Sequence, residues 1–580
     1  MRFFTVALSI LFLCNFLSAQ EKQKQKVFTN SPDYYSIIST FEIFDKQSDL
    51  CLLKTYGTTD VGKPLHLFIL SKDKTFEPAQ IKQQGKAVLL LNNGIHPGEP
   101  DGIDASIELA RNILADPKLL PDNLVICIVP VFNVDGCLNR GNCSRANQCG
   151  PLEYGFRGNA KNLDLNRDFI KADAQNTQTL QRIFQEWKPD FFVDTHVSNG
   201  ADYQYTMTLI ATQRNKLHPV LSAYMDKELV PSLYRAMELR KEPMCPYVDT
   251  RGETPESGIV GFLETPRFAT GYAALFNCIG FVTEAHMLKP YDNRVKATLK
   301  LLEEMVRQFG LDAKKVVALH AEADRQVASQ KTFMLNWKLD TAQFTWIDFR
   351  GYEARYKTSE VSSQPRLYYD LQSPYTKKIK FYNTYVPSFT VTLPDYYVIP
   401  QAWLEVVERL RMNGVKMSRL LKDTTIYTAV YYITTYETGK FPYEGHYLHR
   451  DVHTRSDTQA IRYYRGDFII PTNQPANRYL AETLEPRSGD SFFAWNFFDG
   501  ILQQKEWFSD YVFEEKADSL VRNDPALKKM LEDERKRDTA FAKNAWAQLN
   551  FVYQHSAFKE RSHNRYPVGR LNGELRLGNE

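Results

Sequence analysis

The sequence predicts an α/β fold with a mixed, mostly parallel central sheet flanked by helices, followed by a β-rich accessory region. Three observations carry this. The run Ala87-Val88-Leu89-Leu90-Leu91 is continuously apolar, as a strand buried on both faces must be. The segment after it places Ile103, Ala105, Ile107, Ala110 and Leu114 at helical spacing. Beyond about Gln330 the texture changes to runs rich in aromatic and β-branched residues.

The remaining elements follow in order. Leu124 to Phe132 reads as a second buried strand. Leu180, Ile183, Phe184 and Trp187 mark a helix stripe that Pro189 stops, and Phe191-Phe192-Val193 opens a third strand. Ile279 to Thr283 makes a fourth, with a helix from about Asp292 to Phe309. Strands alternating with helices in this way fit a sheet covered on both faces. In the second half, Phe344 to Phe349 and Thr425 to Tyr432 read as strands. Helices are expected near Ala402 to Met412 and Ala517 to Asp538, the latter a solvated, charge-alternating face. The expected organisation is a leader over 1–19, an α/β unit over 30–315 and a β-rich unit with some helices over 330–580.

With 580 residues, 43% hydrophobic and 24% charged, the chain can bury sizeable cores and is neither disordered nor fibrous in composition. A net charge of +3 without a Lys/Arg run argues against nucleic acid as a partner. Arg2, the apolar stretch Phe3 to Phe16 and the small pair Ser18-Ala19 read as a cleaved export signal, placing the mature protein in the periplasm or outside the cell. That stretch is short for a membrane span and no later segment is long enough, so stable membrane insertion is not expected. Leu13 before Cys14 does not suit a lipoprotein signal. Seven cysteines remain in the mature chain; Cys137, Cys143 and Cys149 stand in a Gly/Asn-rich loop, where a stapling disulfide is favoured over a zinc knuckle.

The chemistry gathers at strand exits. His96-Pro97-Gly98-Glu99 follows the first buried strand, where Gly and Pro delay the helix. By itself this could be an ordinary surface turn. The third strand ends in Asp194-Thr195-His196, bringing a second histidine to the same edge of the sheet, where open α/β folds bind ligands. Two His and one Glu, with a position left for water, make the open arrangement of hydrolytic zinc enzymes. The fourth strand ends in Thr283-Glu284-Ala285-His286, so Glu284 is the natural general base for a metal-activated water. His286 reads as a residue behind the ligands or at the rim, and not as a ligand. Between them, Tyr154 to Phe169 concentrates guanidinium and amide groups, either an anion-binding loop or a solvated one.

His-Pro-Gly-Glu, Phe-Arg-Gly-Asn, Asp-Leu-Asn-Arg, the later edge His and Thr-Glu-Ala-His, in this order, resemble the zinc carboxypeptidase family typified by carboxypeptidase A. The likeness spans about Tyr34 to Phe309, and Tyr56 to Leu65 resembles the family's opening strand-turn-strand. The resemblance implies one zinc ion on His96, Glu99 and His196, the ligand set already known for carboxypeptidase A. It implies Arg157 polarising the scissile carbonyl, Asn166 and Arg167 gripping the substrate's terminal carboxylate, Glu284 as base and Asp164 orienting His96. For the family's substrate-capping tyrosine, Tyr272 is the substrate-binding candidate, closer to Glu284 than expected, while Tyr247 lies farther away. The expected function is removal of C-terminal residues from peptide or protein substrates. Alternatives are an acyl-amino-acid deacylase like the aspartoacylase and succinylglutamate desuccinylase group, and a non-catalytic relative that binds peptide or cell-wall termini. In the second half, His446, His449 and His453 read as an ordinary polar strand or turn rather than a second metal site, and the tyrosines as packing rather than a sugar platform.

Overall fold

The structure is a computed structural model that describes residues 26–573, so the expected leader and Cys14 lie outside the described residues. Eight strands form the central sheet: β1 (Cys51–Thr58), β2 (Pro64–Leu70), β3 (Ala87–Asn92), β4 (Leu124–Val129), β5 (Phe191–Ser198), β6 (Met207–Ala211), β7 (Met244–Pro246) and β8 (Ile279–His286). Their order is β1-β2-β4-β3-β5-β8-β6-β7. The middle four, β4-β3-β5-β8, are parallel. These grow from the four strand runs read in the sequence, and every residue of each is buried. β1 and β2 pair antiparallel on one side, and β6 runs antiparallel to β8 on the other.

Helices Asp101–Ala115 and Tyr291–Ser329 cover one face, where Phe309 stacks on Phe191 at 3.9 Å between ring centroids. The second helix is 39 residues long and overruns its expected end at Phe309. Its buried stripe continues through Ala313, Val316, His320, Ala323 and Val327, and Gly310 lets Pro121 close against the backbone. It therefore runs through the interval expected to separate the two regions.

The second half holds a six-stranded sheet that includes the long pair Thr424–Thr438 and His449–Tyr463. The hairpin Thr345–Thr358/Pro365–Tyr382 forms a four-stranded sheet with Ile259–Val260 and Asp249–Thr250 from the first half. One apolar cluster includes Phe191 and Phe281 beneath the central sheet together with Tyr479, Trp495 and Tyr566 of the accessory region. The charged helix expected near Ala517 to Asp538 is two, Asp510–Asn523 and Pro525–Arg537. Pro525 has no N–H to continue the first, and Asp524 caps the second by accepting from the Ala526 and Leu527 N–H groups at 2.9 and 3.0 Å. Among the described residues no helix is long and apolar enough to cross a membrane. All seven described cysteines are free. The stapling disulfide is therefore absent: Cys137 points into the core, where burial pushes its thiol up to about 12, while Cys143 and Cys149 are exposed.

Candidate functional site

β3, β5 and β8 end side by side, so the residues leaving them converge. After β3 the chain turns at Gly94, whose φ of 63° and tight contacts with Ile103 and Val131 suit only glycine. The Glu99 N–H then bonds the His96 carbonyl at 2.8 Å, closing a tight turn that aims both side chains inward. In β5, His196 lies in register with Glu284 of the neighbouring β8.

The ligand-type atoms of His96, Glu99 and His196 lie within 4.8 Å of one another, and all three residues are buried. His196 Nδ1 is 3.2 Å from Glu99 Oε2, and His96 Nδ1 is 3.5 Å from Glu99 Oε1. The opposite nitrogen of each ring meets a carboxylate: His96 Nε2 to Asp164 Oδ1 at 2.8 Å, and His196 Nε2 to Asp194 Oδ2 at 2.9 Å. Each imidazole thus turns Nδ1 toward Glu99, and His96 Nδ1 is buried without a hydrogen-bond partner among the described residues. Two imidazole nitrogens and a carboxylate, each imidazole backed by a carboxylate, fit a zinc ion.

The charge balance is consistent with metal-ligand chemistry. Burial alone would raise Glu99, but Arg145, His96 and His196 hold its carboxyl well below the usual range. Asp164, raised by burial, is likewise held low by His96, Arg157 and Arg167. Burial works to lower His196, yet Asp194 and Glu99 keep its pKa well above the ordinary value. Glu284 is different. Burial pushes it up to about 8; His196 opposes this, and Glu99, Glu264 and Asp194 reinforce it. Its Oε2 is buried with no partner among the described residues.

A cavity of about 400 Å³ opens over these groups, lined also by Arg145, Arg157, Asn166, Arg167, Tyr247, Phe262, Glu264 and Phe268. Arg157 is held by Asp164, with Nε and Nη2 at 3.0 and 2.9 Å from Oδ2. Asn166 Oδ1 accepts from the Ala269 N–H at 3.1 Å, which leaves its amide nitrogen, unpartnered among the described residues, as a donor. Arg167 stacks over Phe268 at 4.3 Å and donates to the Asn166 carbonyl at 2.9 Å. Arg294, fully buried, ties the cavity's loop to the end of β8 by donating to Asp101, to the Cys149 and Gly150 carbonyls and to the Met287 carbonyl.

Nearly all the residues singled out in the sequence meet here: His96, Glu99, His196, Glu284, Arg157, Asn166, Arg167 and, behind His96, Asp164. Tyr272 does not. Helix Ala269–Leu275 turns it into the core between Phe169, Phe184 and Phe276, where its hydroxyl donates to Asn413 Oδ1 at 2.6 Å. Tyr247 lines the cavity instead. His286 is fully buried and stacks on Tyr203 at 4.1 Å, off the rim. Asp194 went unread in the sequence, although it sits two residues before His196 in one strand and so shares its face. Arg145, 2.9 Å from Glu99 Oε1, carried no sequence signal. His446 and His449 go to separate partners, Asp173 and Asp499, and form no shared site with the exposed His453.

Residues 38–216 match the zinc carboxypeptidase family, a span that ends before Glu284. Carboxypeptidase 2 of Trichophyton rubrum is 22% identical over 440 residues, covering 69% of this chain and 72% of that protein. Carboxypeptidase 2 of Trichophyton tonsurans is 22% identical over 439 residues with the same coverage. Among solved structures, a metallo-carboxypeptidase from Burkholderia cenocepacia aligns with a TM-score of 0.37 at 16% identity, covering 49% of this chain and 70% of its own. Carboxypeptidase A from Helicoverpa armigera aligns at 0.36 and 14%, covering 55% and 81%.

Proposed function

The chain carries a zinc carboxypeptidase-family segment, and from that premise we propose that it is an exported enzyme that removes single residues from the C-termini of peptides. One observation carries the reading: the His96, Glu99 and His196 donor atoms converge within 4.8 Å on the floor of a cavity that also presents Glu284, Asn166 and Arg167. A metal ion alone would fit many hydrolases. A donor amide beside a guanidinium suits a terminal carboxylate and selects for an exopeptidase.

His96, Glu99 and His196 would hold a single zinc ion, which when bound supplies Lewis acidity that lowers the pKa of water and polarises a carbonyl. The protein supplies the rest. Asn166 Nδ2 and Arg167 bind the substrate's free carboxylate and so fix which bond lies over Glu284. Arg157, braced by Asp164, places a permanent charge where the carbonyl oxygen becomes an oxyanion. Glu284 takes a proton from the attacking water and returns it to the departing amine. Its burial suits both steps, because a carboxyl lifted toward neutral pH is a competent base and then a competent acid. Tyr247 and Phe262 wall the cleft. The catalytic unit is taken as residues 30–315, and export rests on the leader pattern of residues 1–19.

The test uses matched peptides with free and amidated C-termini, with and without a chelator, read by mass. Loss of single residues from free termini only, abolished by chelation and reduced about 10²–10⁴-fold in Glu284→Gln, is expected. Equal cleavage of free and amidated peptides would overturn the exopeptidase assignment.

A further inference from the structure

Among the described residues, the accessory region reaches the residues behind the site through Glu444. Tyr443 and His446 face each other through two backbone hydrogen bonds, Tyr443 N to His446 O at 2.7 Å and His446 N to Tyr443 O at 3.1 Å, so Glu444 and Gly445 form a two-residue turn. Both have positive φ, 51° and 81°. Such turns favour Asn, Asp or Gly at the first position, and a glutamate held there is strained. Strain of this kind persists where surrounding contacts over-determine it.

Those contacts are extensive. Tyr443 stacks on Trp495 with centroids 6.1 Å apart, and the Arg267 guanidinium lies 4.8 Å from the same indole while its Nε bonds Asp490 at 2.6 Å. On the other side, His446 Nε2 meets Asp173 Oδ2 at 2.8 Å. So braced, the turn delivers Glu444 Oε2 to the backbone N–H of Asp164 at 2.7 Å.

Asp164 is where a small displacement has the widest effect. Its Oδ1 accepts from His96 Nε2 and from the Asn166 N–H, at 2.8 and 2.9 Å, and its Oδ2 accepts from Arg157. One residue therefore sets the imidazole of a metal ligand, the oxyanion-facing guanidinium and the turn presenting Asn166 and Arg167. Among the described residues, Glu444 is the partner of its N–H.

We propose that Glu444 is a positioning residue lent by the accessory region, which fixes the Asp164 peptide and through it the metal site and the carboxylate clamp. The inference rests on the metallocarboxypeptidase reading above. The accessory region then completes the active site rather than accompanying it. What Glu444 supplies is an acceptor oxygen at a set distance. Its negative charge is not the useful property, since Asp164 beside it carries the same sign and, with burial, raises Glu444.

Two full-length variants test this. Glu444→Asn relieves the left-handed backbone but is shorter by one carbon–carbon bond, ~1.5 Å, and cannot reach Asp164 N. Glu444→Gln keeps the reach and the acceptor. Zinc affinity by competition with a chromophoric chelator, kcat and KM separately, and Tm are measured for each. Expected for Glu444→Asn are an unchanged or higher Tm, zinc bound roughly tenfold more weakly and kcat lowered with it, while Glu444→Gln stays within about twofold of the parent on every readout. Function that follows Tm, zinc affinity unmoved in Glu444→Asn, or Glu444→Gln as damaged as Glu444→Asn would each overturn the proposal. Zinc binding that responds to Glu444 in a protein that cuts no peptide would instead refute the carboxypeptidase reading and leave this one standing.

Discussion

Replacing Asp194 by asparagine probes the proposed metal site at the contact the sequence did not reveal. Asp194 is fully buried; its Oδ2 accepts from His196 Nε2 at 2.9 Å and its Oδ1 from Asn92 Nδ2 at 3.0 Å. An amide of the same shape cannot satisfy both neighbours. With its oxygen kept toward the Asn92 donor, its NH₂ faces His196 Nε2 and demands a lone pair there, which moves the ring proton to Nδ1, the nitrogen needed for zinc. With the amide flipped, two NH₂ groups collide. Loss of such a carboxylate behind a metal-bound imidazole typically weakens binding 10- to 100-fold, about 1.4–2.7 kcal/mol. The frustrated tautomer places Asp194→Asn at the upper end. Chelator competition on the folded variant measures it, and ¹⁵N chemical shifts of His196 report the tautomer directly. Zinc held within threefold of the parent by a folded variant, with Nε2 still protonated, would refute the reasoning.

Two further outcomes follow from groups outside the catalytic machinery. Tyr272→Phe strands a buried acceptor on Asn413 and should cost about 1–3 kcal/mol in denaturant unfolding while leaving kcat/KM unchanged, whereas a tyrosine that caps substrate would show the reverse. Asp104, buried against Tyr291, is pushed up to about 7 from 3.8 by burial, against the Tyr291 hydrogen bond. Between those values the folded state keeps a proton that the unfolded chain has released, so stability is lost as pH rises through the window, on the order of 4 kcal/mol when complete. Asp104→Asn should flatten the fall in Tm between pH 4.5 and 8, and a variant with the parent's slope would exclude Asp104 as its source.

The parallel core was legible because strands buried on both faces must be written in unbroken apolar letters, as Ala87 to Leu91 is. The site was legible for a related reason: polar residues ending such runs stand out, and strand adjacency brings His196 and Glu284 into register. Asp194 stood at the end of the apolar run Phe191 to Val193 and read only as part of that end. Tyr272 could not be placed because a short helix decides which way each side chain points, and the helix Ala269–Leu275 shows no polar face, since all seven of its residues are buried. Glu444 is separated from Asp164 by 280 residues, and no local pattern announces a contact of that range.

The helix Tyr291–Ser329 begins where β8 leaves the proposed metal site and ends against the Asn477 side chain, which bonds the Val327 carbonyl at 3.1 Å. A cassette cut near residue 315 for grafting elsewhere would sever this helix in mid-course and discard the buried Val316, Ala323 and Val327. Residues 30–315 therefore do not lift out as an intact unit, because the helix that leaves β8 is packed against the region that follows.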